Sequence, residues 1–480
     1  KHQMELFIKY PVDVQEELLF RLIQFSKNTE FGEQYNFSSI NTYKDFARKV
    51  PIQQYESIEP LIERCRKGEQ NLFWPTKIKW FAKSSGTTNA KSKFIPVSDE
   101  AIEDCHLKAG KDMLCLYINN NEETELFNGK ALRLGGSAAV YEDNNSYFGD
   151  LSAIIIENMP FWADFSSAPS QETALMSEWE TKMEAIINET IHENITSLVG
   201  VPSWMLVLLN RVLEKTGKDN ILEVWPNLEV YFHGGVNFNP YREQYKKLIP
   251  KKDFKYYETY NASEGFFALQ DINGCLDLLL MLDYGIFYEF IPMSDYNGEN
   301  SVAIPLSEVK KGENYAVVIS TNGGLWRYLI GDTVKFTSLA PYRIRITGRT
   351  KHHINVFGEE LIIENAEEAL KLACKKTKAT ITDYTVGPIF MDGKKQGSHE
   401  WIIEFAKAPK NLEYFTELLD NALKSINSDY EAKRYNNMTL VMPKIHSVKK
   451  GLFYSWLKKK GKLGGQHKVR RLSNKRDFVE

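Results

Sequence analysis

Between residues 195 and 265 the sequence alternates short strand-like segments with a longer helical one, and this alternation limits the fold more than any other feature. In chain order the segments read ITSLVG, SWMLVLLNRVLE, LEVYFHGG and KYYETYNASEG. Strand-like runs that alternate with helical patterns are typical of βαβ units, in which neighbouring strands run parallel. We therefore predict an α/β protein with parallel strand pairing.

The predicted secondary structure changes after Asp271, where β-rich segments such as LDLLLMLD, IFYEFIPM and YAVVIST follow one another. A composition break comes near Arg349, beyond which the pattern reads β–α–β–β–α–β and ends with the strand MTLVMPKI. A chain of 480 residues is long enough for two or three domains. We predict a large N-terminal α/β domain over residues 1–347 and a smaller C-terminal α+β domain over residues 348–480.

A polar loop, KSSGTTNAKSKFIP from Lys83 to Pro96, lies between the strand-like segments KWFA and KFIPV. Its glycine, clustered hydroxyls and backbone N–H groups can form a concave anion site, to which Lys91 and Lys93 add charge. Such chemistry suits the polyphosphate of a nucleotide, although a polar surface hairpin is about equally common. The loop is not a Walker A motif, because no G-x-x-x-x-G-K-[ST] pattern opens a helix here.

Charge and hydropathy argue against two classes of partner. A net charge of −3 gives no general attraction to nucleic acid or anionic membranes. The longest apolar runs, such as Leu276–Leu282, are the length of a strand and far below the 18 residues of a membrane span. The segment from Lys444 to Arg476 contains no acidic residue. It is either a solvated basic tail or a face that closes over a polyphosphate.

The cysteines and the start of the chain bear on where the protein works. Five cysteines are an odd number without C-x-x-C spacing, which argues against a disulfide framework and a zinc site. A reducing cytoplasm fits this usage best. Because the sequence starts with Lys1 rather than Met, we expect it to have been trimmed or processed.

Two motifs downstream of the loop could hold a base and a metal ion. LEVYFHGGVNF ends an apolar strand with Gly234 and Gly235, which allow the close approach of a flat ligand. TYNASEG carries Tyr260, whose ring could stack on a purine, and Glu264, a carboxylate able to ligate Mg²⁺. Taken singly, a plain turn and a surface glutamate are the commoner explanations of these patterns.

Two further motifs follow in the same order. GGLWRYLIGDTVKF places Asp332 in a tight turn, where its carboxylate could accept hydrogen bonds from ribose hydroxyls. APYRIRITGR ends on Arg349 at the predicted domain junction. Each motif is weak alone, but the order and spacing of the whole set are informative.

Together the motifs resemble those of the adenylate-forming superfamily of acyl-CoA synthetases, adenylation domains and luciferases. More closely, they resemble those of the auxin-responsive acyl-acid amido synthetase family in its bacterial form. SSGTTNAKSK is similar to the family's phosphate loop, YNASEG to its Tyr-x-x-Ser-Glu motif and GLWRYLIGD to its GLYRYRxGD motif. GGQHKVRR resembles its C-terminal Gln-Tyr-Lys-x-Pro-Arg motif. The resemblance covers essentially the whole chain and implies a large adenylation domain with a small lid that rotates about a hinge.

The resemblance also implies a reaction and its cofactors. ATP and Mg²⁺ would activate a carboxylic acid as an acyl-adenylate, and an amine, in particular an amino acid, would then take the acyl group. The β- and γ-phosphates would be held by Lys93 and the loop, Mg²⁺ by Glu264 and the ribose by Asp332. The implied loop ligands are Ser84, Ser85, Gly86, Thr87 and Thr88.

Two cations would follow the movement of the lid. Arg349 would accompany the ribose as the lid turns, and Lys468 would be delivered to the α-phosphate. Tyr260, Gly234 and Gly235 would flank the adenine.

The acyl pocket is predicted to use VPSWMLVLL, where Trp204 and Met205 offer apolar and aromatic wall. A plain core helix is an equally good interpretation of this segment. We expect the protein to be cytoplasmic, monomeric or weakly dimeric, and without a nucleic-acid or membrane partner.

The sequence departs from the family pattern at three positions. Ala90 stands for a glycine of the phosphate loop and Arg470 for the usual proline. Leu329 stands for an arginine whose role is either lost or taken by Arg327. Two alternatives to an amido synthetase therefore stay open: an acyl-CoA ligase that shares the adenylation step, and a nucleotide-binding homologue with impaired catalysis.

Overall fold

The computed structural model describes most of the chain. The described residues are 2–84, 93–135, 141–143, 146–235, 238, 241–350, 353–354, 359, 361–390, 396–427, 430–431, 434, 440–460, 469–473, 476 and 478–479. Within these ranges, every helix is too short or too polar to span a bilayer.

Five α-helices open the chain, and their buried apolar residues belong to the same core as strands of the central sheet. The second of them begins at Pro11, a favoured first position because proline's missing N–H has no partner there in any case. Gln15 of this helix donates hydrogen bonds of 2.9 Å to the carbonyl oxygens of Leu282 and Ile286, which fixes the helix on the sheet. The helices are α1 (His2–Lys9), α2 (Pro11–Ser26), α3 (Glu30–Gln34), α4 (Tyr43–Lys49) and α5 (Tyr55–Arg66).

A four-stranded sheet carries the predicted polar loop. Its order is β2-β1-β5-β4, and β1 pairs antiparallel with β2 so that Ser84 lies opposite Lys93. The strand-like segments on both sides of the loop are thereby confirmed as strands. The strands are β1 (Trp80–Ser84), β2 (Lys93–Val97), β4 (Tyr141–Asp143) and β5 (Ser146–Gly149).

Ser98 begins the helical stretch that follows β2. Its hydroxyl accepts a hydrogen bond of 2.9 Å from the N–H of Ala101, as expected of an N-cap. The stretch passes from α6 (Asp99–Ala101) through a π-helical turn (Ile102–Leu107) into α7 (Lys108–Asn120).

The centre of the molecule is a mixed sheet of twelve strands, in the order β13-β12-β14-β15-β16-β11-β10-β9-β8-β7-β3-β6. Strands β6, β3, β7, β8 and β9 run parallel, which confirms the pairing predicted from the alternating pattern. The remaining pairs are antiparallel. The strands are β3 (Lys130–Leu134), β6 (Ser167–Ala168), β7 (Ile195–Gly200), β8 (Val230–Gly234), β9 (Lys255–Ala262), β10 (Gly265–Leu269), β11 (Leu278–Leu280), β12 (Ile286–Pro292), β13 (Ile304–Pro305), β14 (Asn314–Thr321), β15 (Tyr328–Leu339) and β16 (Tyr342–Arg349).

Helices connect the parallel strands, and the core lies between these helices and the sheet. In open sheets of this kind, ligands bind outside the carboxyl ends of the parallel strands. The helices are α8 (Leu151–Glu157), α9 (Phe161–Phe165), α10 (Gln171–Ala174), α11 (Trp179–Thr190), α12 (Pro202–Thr216) and α13 (Arg242–Leu248).

The C-terminal part has its own core and a three-stranded sheet in the order β19-β20-β21. Within the described residues, the last strand covers Lys444–Val448 and shares only Lys444 and Ile445 with the predicted MTLVMPKI segment. It starts after Pro443, whose nitrogen has no hydrogen to give to a strand ladder. The elements are β17 (His353–Ile354), β18 (Leu361–Ile362), α14 (Ile363–Thr377), β19 (Thr380–Ile389), β20 (Ser398–Lys407), α15 (Leu412–Ile426), β21 (Lys444–Val448) and α16 (Leu452–Lys459).

One contact between the two parts, which we call the domain seam, is formed by Tyr241 and Gln244 on the large side and by Ile381 and Arg471 on the small side. Helix α16 makes another, because it packs into the core of the large part. Gln244 donates a hydrogen bond of 3.0 Å to the carbonyl oxygen of Ile381. Arg471 donates one of 3.0 Å to the hydroxyl of Tyr241. The seam therefore lies beside the segment that follows β8.

Candidate active site

The loop between β1 and β2 is the first part of the predicted site. Ser84 is the last residue of β1, and Ser85, Gly86, Thr87 and Thr88 lie outside the described residues. Ala90 lies outside them as well.

Lys93 stands at the other end of this loop, as the first residue of β2. Its ammonium group lies over the ring of Tyr55, 5.2 Å from the centroid. The Tyr55 hydroxyl accepts a hydrogen bond of 2.9 Å from the N–H of Phe94, so α5 positions the start of β2. Sequence reasoning missed Tyr55, because a tyrosine in an amphipathic helix carries no signal of a contact across 38 residues.

Asp332 is the centre of a hydrogen-bonded group formed by three strands. It lies within strand β15 rather than in the predicted tight turn, directly opposite Arg349 of β16, and it follows Gly331, whose φ of +88° suits glycine. Arg349 Nε donates to Asp332 Oδ1 at 2.6 Å. The Tyr260 hydroxyl, from β9, donates to Asp332 Oδ2 at 2.7 Å. The structure thus joins three residues that the sequence predicted from separate motifs.

Glu264 lies in the turn between β9 and β10, within electrostatic range of this group. Burial raises the pKa of the Glu264 carboxyl; Arg349 opposes the shift, Asp332 adds to it, and Lys93 opposes it more weakly. The site therefore combines two carboxylates with an ammonium and a guanidinium. Carboxylates of this kind can accept hydroxyl hydrogen bonds or hold a hard cation, and the cations can bind phosphate.

The glycine pair ends β8 beside this group. Gly234 lies opposite Thr259 of β9, and a Cβ atom at Gly234 would come within 2.6 Å of the Thr259 carbonyl oxygen. The space beside Gly234, which was predicted to admit a flat ligand, is thus occupied by the backbone of strand β9. Gly235 has a φ of +80° and follows at the carboxyl end of the strand, one position further toward Tyr260.

Trp204 and Met205 lie on α12, in the core between this helix and the sheet. Met205 is fully buried and Trp204 nearly so. The Trp204 ring packs edge-on against Tyr454 of α16, with 6.4 Å between centroids. A role for both residues in the wall of an acyl pocket stays a prediction.

Arg327 does not take the place of the missing arginine at Leu329. Its Nε and Nη2 donate to the two oxygens of Glu289 at 2.9 and 2.8 Å. Its Nη1 donates to the carbonyl oxygens of Ala47 and Val50. Of the two alternatives for the arginine replaced by Leu329, a role taken over by Arg327 is disfavoured, because these bonds hold the Arg327 guanidinium in the core. Leu329 itself is buried among apolar side chains.

Lys468 lies outside the described residues, but the tail that follows it is held in place. The carbonyl oxygen of Arg471 accepts from the N–H of Val386 at 2.8 Å, and that of Arg470 accepts from the Thr385 hydroxyl at 2.6 Å. The tail thus runs along β19, and Arg471 reaches the domain seam. The Arg470 guanidinium lies over the ring of Phe478, 5.4 Å from the centroid.

Comparison with known proteins identifies one family along most of the chain. Three family models match: the GH3 family N-terminal domain over residues 1–254, the GH3 family central domain over residues 279–349 and the GH3 family C-terminal domain over residues 364–477. The indole-3-acetic acid-amido synthetase GH3.3 of Arabidopsis thaliana is 22% identical, across 92% of this chain and 85% of its own length. The jasmonoyl–L-amino acid synthetase JAR4 of Nicotiana attenuata is 25% identical, across 79% and 76%.

Solved structures show the same fold. The GH3.15 acyl acid amido synthetase matches with a TM-score of 0.80 at 16% identity, over 97% of this chain and 92% of the other. A 2-hydroxyisobutyryl-CoA ligase matches with a TM-score of 0.62 at 12% identity, over 97% and 89%. The predicted architecture of a large α/β domain and a smaller C-terminal domain is thereby confirmed.

Proposed function

The chain belongs to the GH3 family, and from this premise we propose that it is an acyl-acid amido synthetase. It would activate a carboxylic acid with ATP and transfer the acyl group to an amine, with an amino acid as the favoured acceptor. The observation that carries the proposal is the contact of Asp332 with Arg349, with Glu264 and Lys93 within electrostatic range. The names of the relatives, which are amino acid conjugating synthetases, support it.

In the first step, a carboxylate oxygen of the acid attacks the α-phosphorus of ATP. The bond from that phosphorus to the bridging oxygen breaks, and pyrophosphate leaves. Attack by an anion on a polyanion is opposed mainly by charge, so the protein has to supply positive groups. Lys93, together with Ser84 to Thr88, would hold the β- and γ-phosphates. Asp332 would accept the ribose hydroxyls, and Gly235 would border the base.

Mg²⁺ fits the donor set at this place. Magnesium is commonly held by one or two carboxylates together with substrate phosphates, rather than by an all-protein cage. Glu264 offers such a carboxylate, and within the described ranges no group of three or more potential metal ligands occurs. When bound, the ion would neutralise phosphate charge as the pyrophosphate leaves.

In the second step, the amine nitrogen attacks the acyl carbon, AMP leaves with its phosphate oxygen, and the nitrogen loses a proton to solvent. We propose that residues 348–480 rotate relative to residues 1–347 between the two steps. The match to the family's central domain, which ends at residue 349, supports a junction at Arg349. Lys468 would reach the α-phosphate in the first arrangement, and α12 would supply Trp204 and Met205 to the acyl pocket.

The proposed setting is the cytoplasm, as a monomer or weak dimer. All five cysteines are unpaired, and Cys65 and Cys105 are buried, which suits a reducing compartment. The proposed partners are small molecules only.

Isotope exchange between pyrophosphate and ATP, across aromatic, indolic and small aliphatic acids, tests the first step. We expect at least one acid to support exchange and Asp332→Asn to reduce it strongly. Asp277→Asn is the matched control, because Asp277 pairs with Arg345 on a half-exposed surface. No exchange with any acid, together with no ATP-induced change in melting temperature, would indicate a homologue that has lost catalysis.

An amido synthetase and an acyl-CoA ligase differ in the molecule that accepts the acyl group. Pre-formed acyl-adenylate on the enzyme is offered either a mixture of amino acids or CoA, and the rate of AMP release is measured. Faster release with amino acids supports the amido synthetase, whereas release with CoA alone would make the protein an acyl-CoA ligase.

A further inference from the structure

The ring of Tyr260 has little surface to offer a purine. The residue is 5% exposed and packs against Phe267, with 4.8 Å between ring centroids. Stacking on a base needs an open ring face, and most of this ring is covered by protein. The polar end of the side chain, in contrast, points to a defined partner.

That partner is the Asp332 carboxylate, which is 12% exposed. Oδ2 accepts the Tyr260 hydroxyl at 2.7 Å and Oδ1 accepts Arg349 Nε at 2.6 Å. A carboxylate can accept about four hydrogen bonds, so each oxygen keeps capacity for a further donor. Two donors from two other strands thus fix the plane of the carboxylate and leave room for a diol.

We infer that Tyr260 is a positioning residue that acts through its hydroxyl, holding the Asp332 carboxylate in the orientation that accepts the ribose. The inference rests on the proposed function, because it takes the Asp332 ligand to be the ribose of ATP. It differs from the role expected from the motif, in which the ring contacts the base.

The protonation state of Tyr260 supports this role. Burial raises the pKa of Tyr260 well above its ordinary value, and the charge of Asp332 adds to the shift. The phenol therefore stays a hydrogen-bond donor throughout the working pH range. A donor to a charged acceptor is worth more than a neutral hydrogen bond, so its loss has to be visible in nucleotide binding.

The test compares Tyr260→Phe with Tyr288→Phe. Tyr260→Phe removes one oxygen and keeps the ring. Tyr288 is the matched control, because it is a fully buried tyrosine in the same aromatic cluster, and among the described residues its hydroxyl meets only the Phe267 carbonyl oxygen, at 3.5 Å. For each protein, the affinities for ATP, 2′-deoxy-ATP and 3′-deoxy-ATP are measured by calorimetry, and kcat and KM for ATP by pyrophosphate exchange.

We expect Tyr260→Phe to weaken ATP binding about tenfold or more, the size of a lost hydrogen bond to a charged group. The preference for ATP over the deoxy analogues should shrink, because those analogues already lack a contact with Asp332. Tyr288→Phe should keep the wild-type preference. In an Asp332→Asn background, adding Tyr260→Phe should change little, since the two residues act as one unit.

Three outcomes decide the matter. An unchanged preference for ATP over both deoxy analogues in Tyr260→Phe overturns the inference, even if overall affinity falls. Equal losses in Tyr260→Phe and Tyr288→Phe also overturn it, because they indicate a general effect on the core. A wild-type protein that binds ATP but shows no exchange with any acid refutes the proposed function alone, and calorimetry still decides the role of Tyr260.

Discussion

Two arginine–carboxylate pairs, Arg327 with Glu289 and Arg349 with Asp332, differ in nature, although Arg327 and Asp332 belong to one sequence motif. The side chains of Arg327 and Glu289 are 5% and 1% exposed, and those of Arg349 and Asp332 are 38% and 12% exposed. Arg327 makes hydrogen bonds with all three of its nitrogens. Within the described residues, Arg349 donates to the protein through Nε alone.

The two arginines show that a structural charge and a functional one differ in how many of their hydrogen-bond donors the protein itself uses. A buried guanidinium that bonds through all three of its nitrogens inside the protein stabilises the fold and is out of reach of a ligand. Arg327 joins α4 to β12 in this way, through the carbonyl oxygens after Phe46 and the carboxylate of Glu289. Arg349 keeps unused donors at a partly open position, which is what an anion site needs.

Breaking the buried pair should have the largest effect. Arg327→Met leaves the Glu289 charge without its partner in the core, and removing one member of a buried ion pair costs about 3–5 kcal/mol. The measurement is the free energy of unfolding in urea. The double variant Arg327→Met with Glu289→Leu is the control, since replacing both partners by apolar groups should restore much of the loss. A loss below about 1 kcal/mol would contradict the structural role.

Breaking the open pair should change binding rather than stability. For Arg349→Met we expect about 10–100-fold weaker ATP binding, because hydrogen bonds to charged groups contribute about 1.5–3 kcal/mol. The free energy of unfolding should fall by less than about 1 kcal/mol, as is usual for a partly exposed pair. Calorimetric titration with ATP and urea unfolding measure the two effects. A stability loss as large as that of Arg327→Met would erase the contrast between the pairs.

Two buried carboxylates, Glu367 and Glu258, extend the comparison to the pH dependence of stability. Burial raises the pKa of Glu367, on α14, to about 7, with Arg471 opposing the shift and Glu258 adding to it. Burial likewise raises the pKa of Glu258, on β9, to about 7, opposed by Arg242 and Arg345. Both groups sit near the domain seam. Their raised values mean that stability is fully present below the ordinary pKa of glutamate and is lost as the pH rises through about 7.

Glu367→Gln imitates the protonated form and should therefore stabilise the protein on the order of 1 kcal/mol at pH 8.5, with little effect at pH 4. The melting temperature is followed from pH 4 to pH 8.5. The control is Glu368→Gln, a neighbouring glutamate that is exposed on the same helix. The same shift in both variants, or a gain confined to low pH, would rule out this assignment.

Much of the candidate site could be predicted because its residues sit in local patterns. Asp332 follows a glycine within strand β15, Arg349 ends a strand at the junction, and Glu264 lies in a turn between two strands. Motif order placed these residues in one site. A separate pattern, the alternation of strand-like and helical segments, predicted the parallel pairing of β7 to β9, because such alternation is typical of βαβ units.

The rest depends on contacts that sequence spacing does not encode. The motif alone does not show that Arg327 is paired, because its partner Glu289 is 38 residues away, on strand β12. The Tyr260 ring seemed available for stacking because its burial by Phe267 depends on how β9 and β10 pair. The last strand begins at Lys444 because the nitrogen of Pro443 has no hydrogen for a strand ladder, which apolar composition alone does not show.

The register of β16 has a consequence for how the chain tolerates insertions. Arg349 is the last residue of this strand and faces Asp332 directly. One residue inserted before it would turn the arginine to the opposite face of the sheet, because side chains alternate along a strand. An insertion just after it would lengthen the tether to the small domain and leave the arginine in place. The tolerance to length changes should therefore differ between the two sides of Arg349, because the register of the sheet constrains only the side before it.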